Sequence, residues 1–495
     1  MSQSLILIAV LVVVIPFLVF YVIKAQKEHP KGLISAALAN MGERFGYYIM
    51  NAVLLLFLCS KFGISDDAAG WIYAVFYFLI YVLSLPGGMI ADKTQKYKGT
   101  IISGLICMAV GYILLSIPVF SENTGGISWV LVFTCVALLI IAFGNGLFKG
   151  NLQAIVGQMY DNFEAEAAKK GPEALAIAKS RRDSGFQIFY VFINIGGVIA
   201  PFVAPLLREF WLKTKGLLYN SDLPRLCHMY NDNAQGMSAI DMENLNNLAT
   251  QVGHTGAVDA AFCANYLETF NTGVHLSFIA SVAAMLISLT IFMLVMKSLP
   301  TPVKKAKSNT EVSEAEKEAD AKEIKQRLMA LYAVLGVAVF FWFSFHQNGQ
   351  SLSVFARDFV ATDSIAPEIW QCINPFFVIV LTPIIMFIFG SLAKKNKEIS
   401  TPRKIAIGMF IAACAYIFLT IVAMVQGYPS GEEFKSLSDA DKVLMKSSPA
   451  VLILTYFFLT VAELFISPLG LSFVSKIAPK HLQGICQGLW LSATA

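Results

Sequence analysis

From its first residues to its last, the chain is a succession of apolar stretches of membrane-crossing length, separated by loops that hold most of its charge. A helix rising 1.5 Å per residue needs about 20 apolar residues to cross a hydrocarbon core ~30 Å thick. Stretch after stretch here reaches that length. Inside a bilayer such a segment is helical, because only a helix answers its own backbone N–H and C=O groups. Composition leads to the same place. Of 495 residues, 56% are hydrophobic and 14% charged, where soluble domains run at roughly 45–50% and 25%. That balance cannot cover a water-facing surface, so an all-α polytopic membrane protein is expected.

The spans are expected as a leading one at about 4–23, then span 1 at 33–58, span 2 at 69–91 and span 3 at 100–118. Span 4 follows at 128–150, span 5 at 186–207, span 6 at 274–296 and span 7 at 328–356. Span 8 covers 368–393, span 9 covers 404–427, span 10 covers 448–475, and span 11 begins near 483. The leading span starts Met1-Ser2-Gln3-Ser4, with no basic segment ahead of it and no small-x-small cleavage site before Lys24, so it reads as a retained anchor. Because the sequence stops at Ala495, inside span 11, an incomplete second half is expected.

Lysine and arginine set the orientation. One set of loops holds Lys24, Lys27 and Lys31, then Lys93, Lys96 and Lys98, then Lys394, Lys395, Lys397, Arg403 and Lys404. The alternate loops at 119–127 and 359–367 hold none. The basic loops are expected in the cytoplasm, with the N-terminus outside and the protein in the plasma (inner) membrane. The formal charge of +4 is then topology, and nucleic acid is not an expected partner.

Two loops are longer than connectors. Residues 298–327 are charged and Glu/Ala/Lys-rich in their second half, which suits a helix along the cytoplasmic face. They divide the chain into an anchor with its linker (1–32), a first half (33–297) and a second half (328–495). The other loop, about 208–273, faces outward and carries Cys227 and Cys263. The other six cysteines fall in spans or at their ends, so these two are expected to pair as a disulfide in the oxidising compartment. Two unpaired thiols remain the alternative.

A charge within a span is costly and therefore marks function. Span 1 carries Asn40-Met41-Gly42-Glu43-Arg44-Phe45-Gly46-Tyr47-Tyr48. Helical spacing puts Asn40, Glu43, Arg44 and Tyr47 along one stripe. Glu43 and Arg44, neighbours about 100° apart on a helix of 3.6 residues per turn, are each expected to find partners on other helices. Lys149 lies near the end of span 4, and Glu463 is a lone carboxylate in span 10. One acid and two bases in the first half face one acid in the second, which suits a zwitterionic ligand. The segment Gly144-x-Gly146-x-x-Lys149-Gly150 has no strand before it, so it reads as close helix packing and not as a phosphate loop. No metal-ligand cluster, cofactor motif or nucleophile–base pair is present, which sets an enzyme aside.

The Asn40–Tyr48 segment resembles the ExxERFxYY signature of the proton-dependent oligopeptide transporters, a family within the major facilitator superfamily. Arg182-Asp183-Ser184-Gly185-Phe186, running into Phe189-Tyr190-Val191-Phe192-Ile193-Asn194-Ile195-Gly196, is similar to the family's fifth-helix motif. So are Gly144–Asn151 to its fourth, Phe341-Trp342 with Gln347 to its seventh, Glu463–Leu471 to its tenth and Gly488-Leu489-Trp490 to its eleventh. Gly87-Gly88-Met89-Ile90-Ala91-Asp92-Lys93 matches the superfamily's loop motif after the second helix.

The resemblance implies the major facilitator fold, two six-helix bundles to which this chain adds an N-terminal helix. It implies alternating access around a midplane site, small peptides as substrate and protons as coupling ion. Carried over by position, Arg44 and Lys149 would hold the peptide carboxylate, and Asn194 would bond its backbone. Glu463 with Asn374 would hold the ammonium, with Ser467 beside them. Tyr47, Tyr48, Tyr81, Trp342 and Trp490 would wall the side-chain pockets, and Asp92 with Lys93 would gate.

Three positions depart from the pattern: Asn40 replaces the first glutamate, His346 the acid of span 7, and Gly150 the proline after the lysine. Asn40 cannot titrate. Coupling then runs through Glu43 and Glu463, or through His346, or is lost to leave a facilitator. A neutral His346 bonded within its own helix is the bland alternative. Since His346 cannot serve as a counter-anion, Arg44 is expected to lean on Glu43 or Glu463. Related sequences that carry nitrate or small organic acids are a second substrate reading, and a non-transporting receptor or scaffold a third. Glu463 argues against an inorganic anion, and the set of buried charges argues against a scaffold.

Overall fold

The computed structural model describes residues 3–119, 128–220, 223–300, 314–349, 372–395, 399–430, 444–479 and 482–494, with isolated positions between 352 and 370 and at 397 and 433. The zones expected at 120–127, 301–313, 362–369 and much of 350–358 lie outside the described residues, as does Ala495. The helices are α1 (Gln3–Glu28), α2 (Leu33–Phe62), α3 (Asp66–Val82), α4 (Ser84–Thr94), α5 (Tyr97–Ser116), α6 (Trp129–Ala168) and α7 (Pro172–Thr214). There follow α8 (Leu223–Asn233), α9 (Ala239–Gln251), α10 (Ala260–Val295) and α11 (Glu314–Phe345). The last four are α12 (Ile373–Lys394), α13 (Thr401–Gln426), α14 (Pro449–Ile477) and α15 (Gln483–Ser492). Among the described residues eleven segments are long and apolar enough to cross a membrane.

Local chemistry explains the ends. Ser65, Ser128 and Asp259 cap α3, α6 and α10 through side-chain oxygens that accept N–H bonds from Ala68, Val130 and Phe262. Gly63, at φ 64°, closes α2 in the left-handed conformation that costs glycine least. Span 2 is two helices, because Pro86 has no N–H to offer the Val82 carbonyl and the ladder breaks at Leu83.

Several boundaries differ from expectation. Spans 4 and 5 run on to Ala168 and from Pro172, forming a polar helical hairpin beyond the apolar cores. Glu- and Ala-rich sequence favours helix there, and Pro172 at the first turn restarts it. The long loop at about 208–273 is also partly helical, as α8 and α9. Span 7 ends sooner, at Phe345, and continues as a 3₁₀ turn over His346–Gly349.

Helices α2, α5, α6, α7 and α10 pack as one group, and α11, α12, α13 and α14 as another. The groups meet where α7 lies against α12 and α14, and where α15 lies against α4 and α6. Helix α1 runs along the α7–α12 seam. Its Ile6, Leu7 and Val10 pack with Phe202 and Cys372, and the buried Tyr21 hydroxyl donates to the Ile379 carbonyl at 2.8 Å. The glycines of α4 and α6 serve packing. A β-carbon on Gly146 would stand 2.4 Å from the Leu83 carbonyl oxygen, and one on Gly87 would stand 2.1 Å from that of Gly146.

Cys227 and Cys263 are both buried and stand as free thiols within hydrogen-bonding reach of one another. The covalent bond expected from sequence is not formed here, although the fold brings the two residues together. Two nearby histidines are structural: His228 Nε2 meets the Ser60 carbonyl at 2.7 Å, and His275 sits against Lys61 and the Leu115 carbonyl.

Candidate functional site

The buried charges divide into those that hold one another and those that do not. Glu43 and Arg44 pair directly: Nε and Nη2 each reach a Glu43 oxygen at 2.5 Å, and Asn145 Nδ2 donates to the same carboxylate at 2.7 Å. Glu43 thus finds one partner on another helix, Asn145 of α6, while Arg44 leans on Glu43, its own neighbour, and not on Glu463. A guanidinium only 1% exposed needs an anion at once, and two long side chains can fold toward each other across 100° of helix. Arg44 also lies over the Tyr47 ring at 4.6 Å.

Lys149 is buried, with Nζ 4.3 Å from the centre of the Tyr81 ring, and no carboxylate or other acceptor meets it among the described residues. On α14, Glu463 accepts from Asn374 Nδ2 at 2.7 Å and from the Tyr190 hydroxyl, again with no cation among the described residues. Asn374 Nδ2 also reaches Thr460 Oγ1 at 3.0 Å, and Ser467 is buried one turn beyond Glu463. Asn194 donates to the Tyr190 carbonyl of its own helix at 2.9 Å, which leaves Oδ1 as its acceptor for a ligand.

Among the aromatic residues expected at the site, Tyr81 lies under Lys149 and Tyr47 under Arg44, and the others pack as follows. Tyr48 meets Tyr47 edge-on at 5.3 Å and lies against Gly197. Trp342 stacks on His346 at 5.4 Å, and Trp490 is buried against Gly470, which leaves it room. His346 Nε2 contacts the Thr494 carbonyl at 3.0 Å, and its Nδ1 stands 3.4 Å from the Tyr77 hydroxyl. It therefore touches both groups of helices instead of bonding only within its own. Asn40 is buried with no partner for Nδ2 among the described residues.

At the basic face the two groups are joined by charge. Asp183 on α7 takes Lys476 at 2.6 Å, Ser472 at 2.5 Å and Lys404 at 3.3 Å. Arg182 holds Asp161 at 2.6 Å and Glu164 at 2.8 Å on its own side, and donates across to the Ser475 carbonyl at 3.2 Å. Asp92 accepts from the Gly484 and Ile485 amides at 3.0 and 2.7 Å and from the Tyr97 hydroxyl. A carboxylate at the first turn of α15 complements both the free N–H groups and the helix dipole. Lys93, expected to act with Asp92, is exposed to solvent instead. Sequence reasoning missed Tyr190, Asn145 and the lysines on Asp183. Tyr190 was legible as the residue one turn before Asn194, on the same stripe.

The chain matches the POT family model over residues 98–315 and 296–495. The chain belongs to the POT family. Among similar proteins, the dipeptide and tripeptide permease B of Yersinia enterocolitica is 28% identical over 480 residues, covering 94% of this chain and 84% of that protein. The protein of the same name from Salmonella typhimurium is 26% identical over 479 residues, with coverage of 94% and 85%. A solved POT family transporter in complex with a thioalcohol-conjugated peptide aligns with a TM-score of 0.59 at 21% identity, over 95% of this chain and 89% of that one. Another, in complex with 5-aminolevulinic acid, gives 0.57 at 20% identity, over 94% and 88%. These structural likenesses carry the fold.

Proposed function

We propose that this chain imports di- and tripeptides by alternating access of its two helical groups, with entry coupled to protons. The observation that carries the reading is the pair of unanswered charges, Lys149 on the first group and Glu463 on the second. A peptide is a zwitterion that offers a carboxylate to one and an ammonium to the other. In a cavity of low dielectric each such pairing is worth more than in water. The relatives named for dipeptides and tripeptides support the same substrate class.

Arg44 is held by Glu43 in this arrangement, so Lys149 is the first carboxylate-binding group, and Arg44 joins when Glu43 releases it. Protonation of Glu43 removes the anion that occupies the guanidinium, which links proton entry to substrate binding. Asn40, beside this pair on the same helix, leaves Glu43, Glu463 and His346 to carry the proton. Asn194, Asn374, Ser467, Tyr47, Tyr48, Tyr81, Trp342 and Trp490 shape the cavity, and Asp92 belongs to the gate. The basic face is cytoplasmic, the N-terminus outside and the protein a multi-pass resident of the plasma membrane, divided near 298–327 into its two halves. In that orientation Cys227 and Cys263, adjacent free thiols in this structure, face an oxidising compartment whose oxidant would join them as a disulfide, which non-reducing mass spectrometry reads directly.

Uptake of labelled dipeptide into proteoliposomes tests the reading. Glu463→Gln is expected to reduce it sharply, and unchanged uptake would sink the ammonium-site assignment. Accumulation under an inward proton gradient, compared with counterflow without one, separates a symporter from a facilitator. His346→Gln leaving gradient-driven accumulation intact removes His346 from the coupling set.

A further inference from the structure

Asn51 lies seven residues past Arg44 on the same face of α2 and belongs to no motif singled out in the sequence. Its Oδ1 accepts two phenol hydroxyls, from Tyr47 of its own helix at 3.2 Å and from Tyr73 of α3 at 2.9 Å. Tyr47 is the ring beneath Arg44. Tyr73 begins a ladder: it stacks with Tyr77 at 6.2 Å and 20°, Tyr77 meets Tyr81 at 5.1 Å, and Tyr81 is the ring beneath Lys149. Arg44 and Lys149 thus rest on the two ends of one string of rings. Asn51 is its joint.

We propose that Asn51 is a positioning residue of the cavity, whose amide oxygen ties the ring under Arg44 to the ring ladder under Lys149 and so sets how the two cations meet one carboxylate. A carbonyl oxygen has two lone pairs and can answer both hydroxyls, whereas an aliphatic side chain answers neither. A buried phenol without an acceptor turns toward another one, and its ring face turns with it. Because a cation is drawn to the face of a ring and not its edge, such a turn displaces the cation above. The role rests on the reading of the cavity as the site of a peptide carboxylate, and it concerns affinity for that group and not the rate of the conformational cycle.

The full chain in proteoliposomes tests it with Asn51→Leu, which keeps the bulk and removes the acceptor, and Asn51→Asp, which keeps an acceptor oxygen. Asn51→Leu is expected to raise KM for a labelled dipeptide roughly tenfold with kcat within about twofold, the size of losing one shared polar contact. It is also expected to erase most of the preference for the free acid over the same dipeptide amidated at its C-terminus. Asn51→Asp is expected to stay within about threefold of the parent on the scale where each tenfold is 1.4 kcal/mol. An unchanged KM, an equal loss for acid and amide, or no rescue by Asn51→Asp overturns the proposal. A measurement without substrate stands beside these: fluorine NMR of protein carrying 3-fluorotyrosine, assigned with Tyr47→Phe and Tyr73→Phe. Both resonances are expected to move together in Asn51→Leu while that of Tyr416, on a distant helix, stays. If neither moves, Asn51 does not position the rings; if the parent takes up no dipeptide, the transport reading fails while the spectra still decide the role of Asn51.

Discussion

At the basic face and in the centre of the molecule, charge is used in opposite ways. At the basic face Asp183 is met by Lys404 and Lys476, Arg182 by Asp161 and Glu164, and Asp92 by the first amides of α15. In the centre Lys149 lies on a ring and Glu463 takes only neutral donors. A buried ion without a counterion is a net cost to the fold; the answered charges of Asp183 and Asp92 join the two groups of helices, while the proposed function has the unanswered ones meet an arriving substrate. The pair Glu43–Arg44 stands between these cases, its two ions answering each other within α2 and its carboxylate also taking Asn145 of α6.

The contrast is open to attack, and the largest effect is expected in the centre. Lys149→Gln should cut dipeptide kcat/KM by about a thousandfold, on the order of 4 kcal/mol, while the thermal midpoint in detergent stays or rises. A fall in midpoint as large as that of a core cavity would mean that Lys149 is structural. At the basic face the sign reverses. Asp183→Asn leaves two lysines facing a neutral amide and should cost roughly 3 kcal/mol of the closed arrangement, read as faster labelling of cysteines placed on α14 near Ser475. Unaltered labelling would remove the charge lock from the account.

His29, between α1 and α2, sharpens the same region by pH. Its Nδ1 contacts the Tyr160 hydroxyl at 2.7 Å, and burial, followed by Arg181 and Lys24, lowers its pKa to about 4. In the folded state the ring stays neutral where the unfolded chain, near the usual 6.5, already binds a proton. Stability should therefore fall as pH drops from about 6.5 toward 4 and level off below, by at most about 3 kcal/mol. Melting curves of His29→Gln should lose that part of the slope. The smallest effect is expected at the seam: Tyr21→Phe removes one buried bond to Ile379 and should lower stability by about 1 kcal/mol, visible as a shift of a few degrees or less.

Much of the fold was legible without coordinates because hydrophobic length is a local property. The leading span and spans 1 to 10 each meet a helix of membrane-crossing length, and span 11 is met only by the ten residues of α15. The errors fall at ends such as Ala168 and Phe345, where polar residues of good helix propensity carry on past the apolar core or where a helix tightens. The Pro86 break was written in the sequence and passed over. The poles Lys149 and Glu463 were legible for a related reason: a charge among apolar residues is conspicuous in one dimension. Their partners were not. Whether Arg44 would meet Glu43 or Glu463, and whether Asp92 would work with Lys93 or with the start of α15, depends on which helices lie side by side.

Local composition accounts for the material of this protein: apolar spans of bilayer length, loops rich in lysine and arginine, and a few charges that no soluble surface could explain. Which charges are answered follows from how the helices pack. Packing also sets α1 along the α7–α12 seam and brings Cys227 beside Cys263. The physical reason is range. Burial and helicity follow from neighbours a few residues away, whereas a hydrogen bond such as Tyr190 to Glu463 joins positions 273 residues apart, and its existence depends on packing that no local pattern encodes.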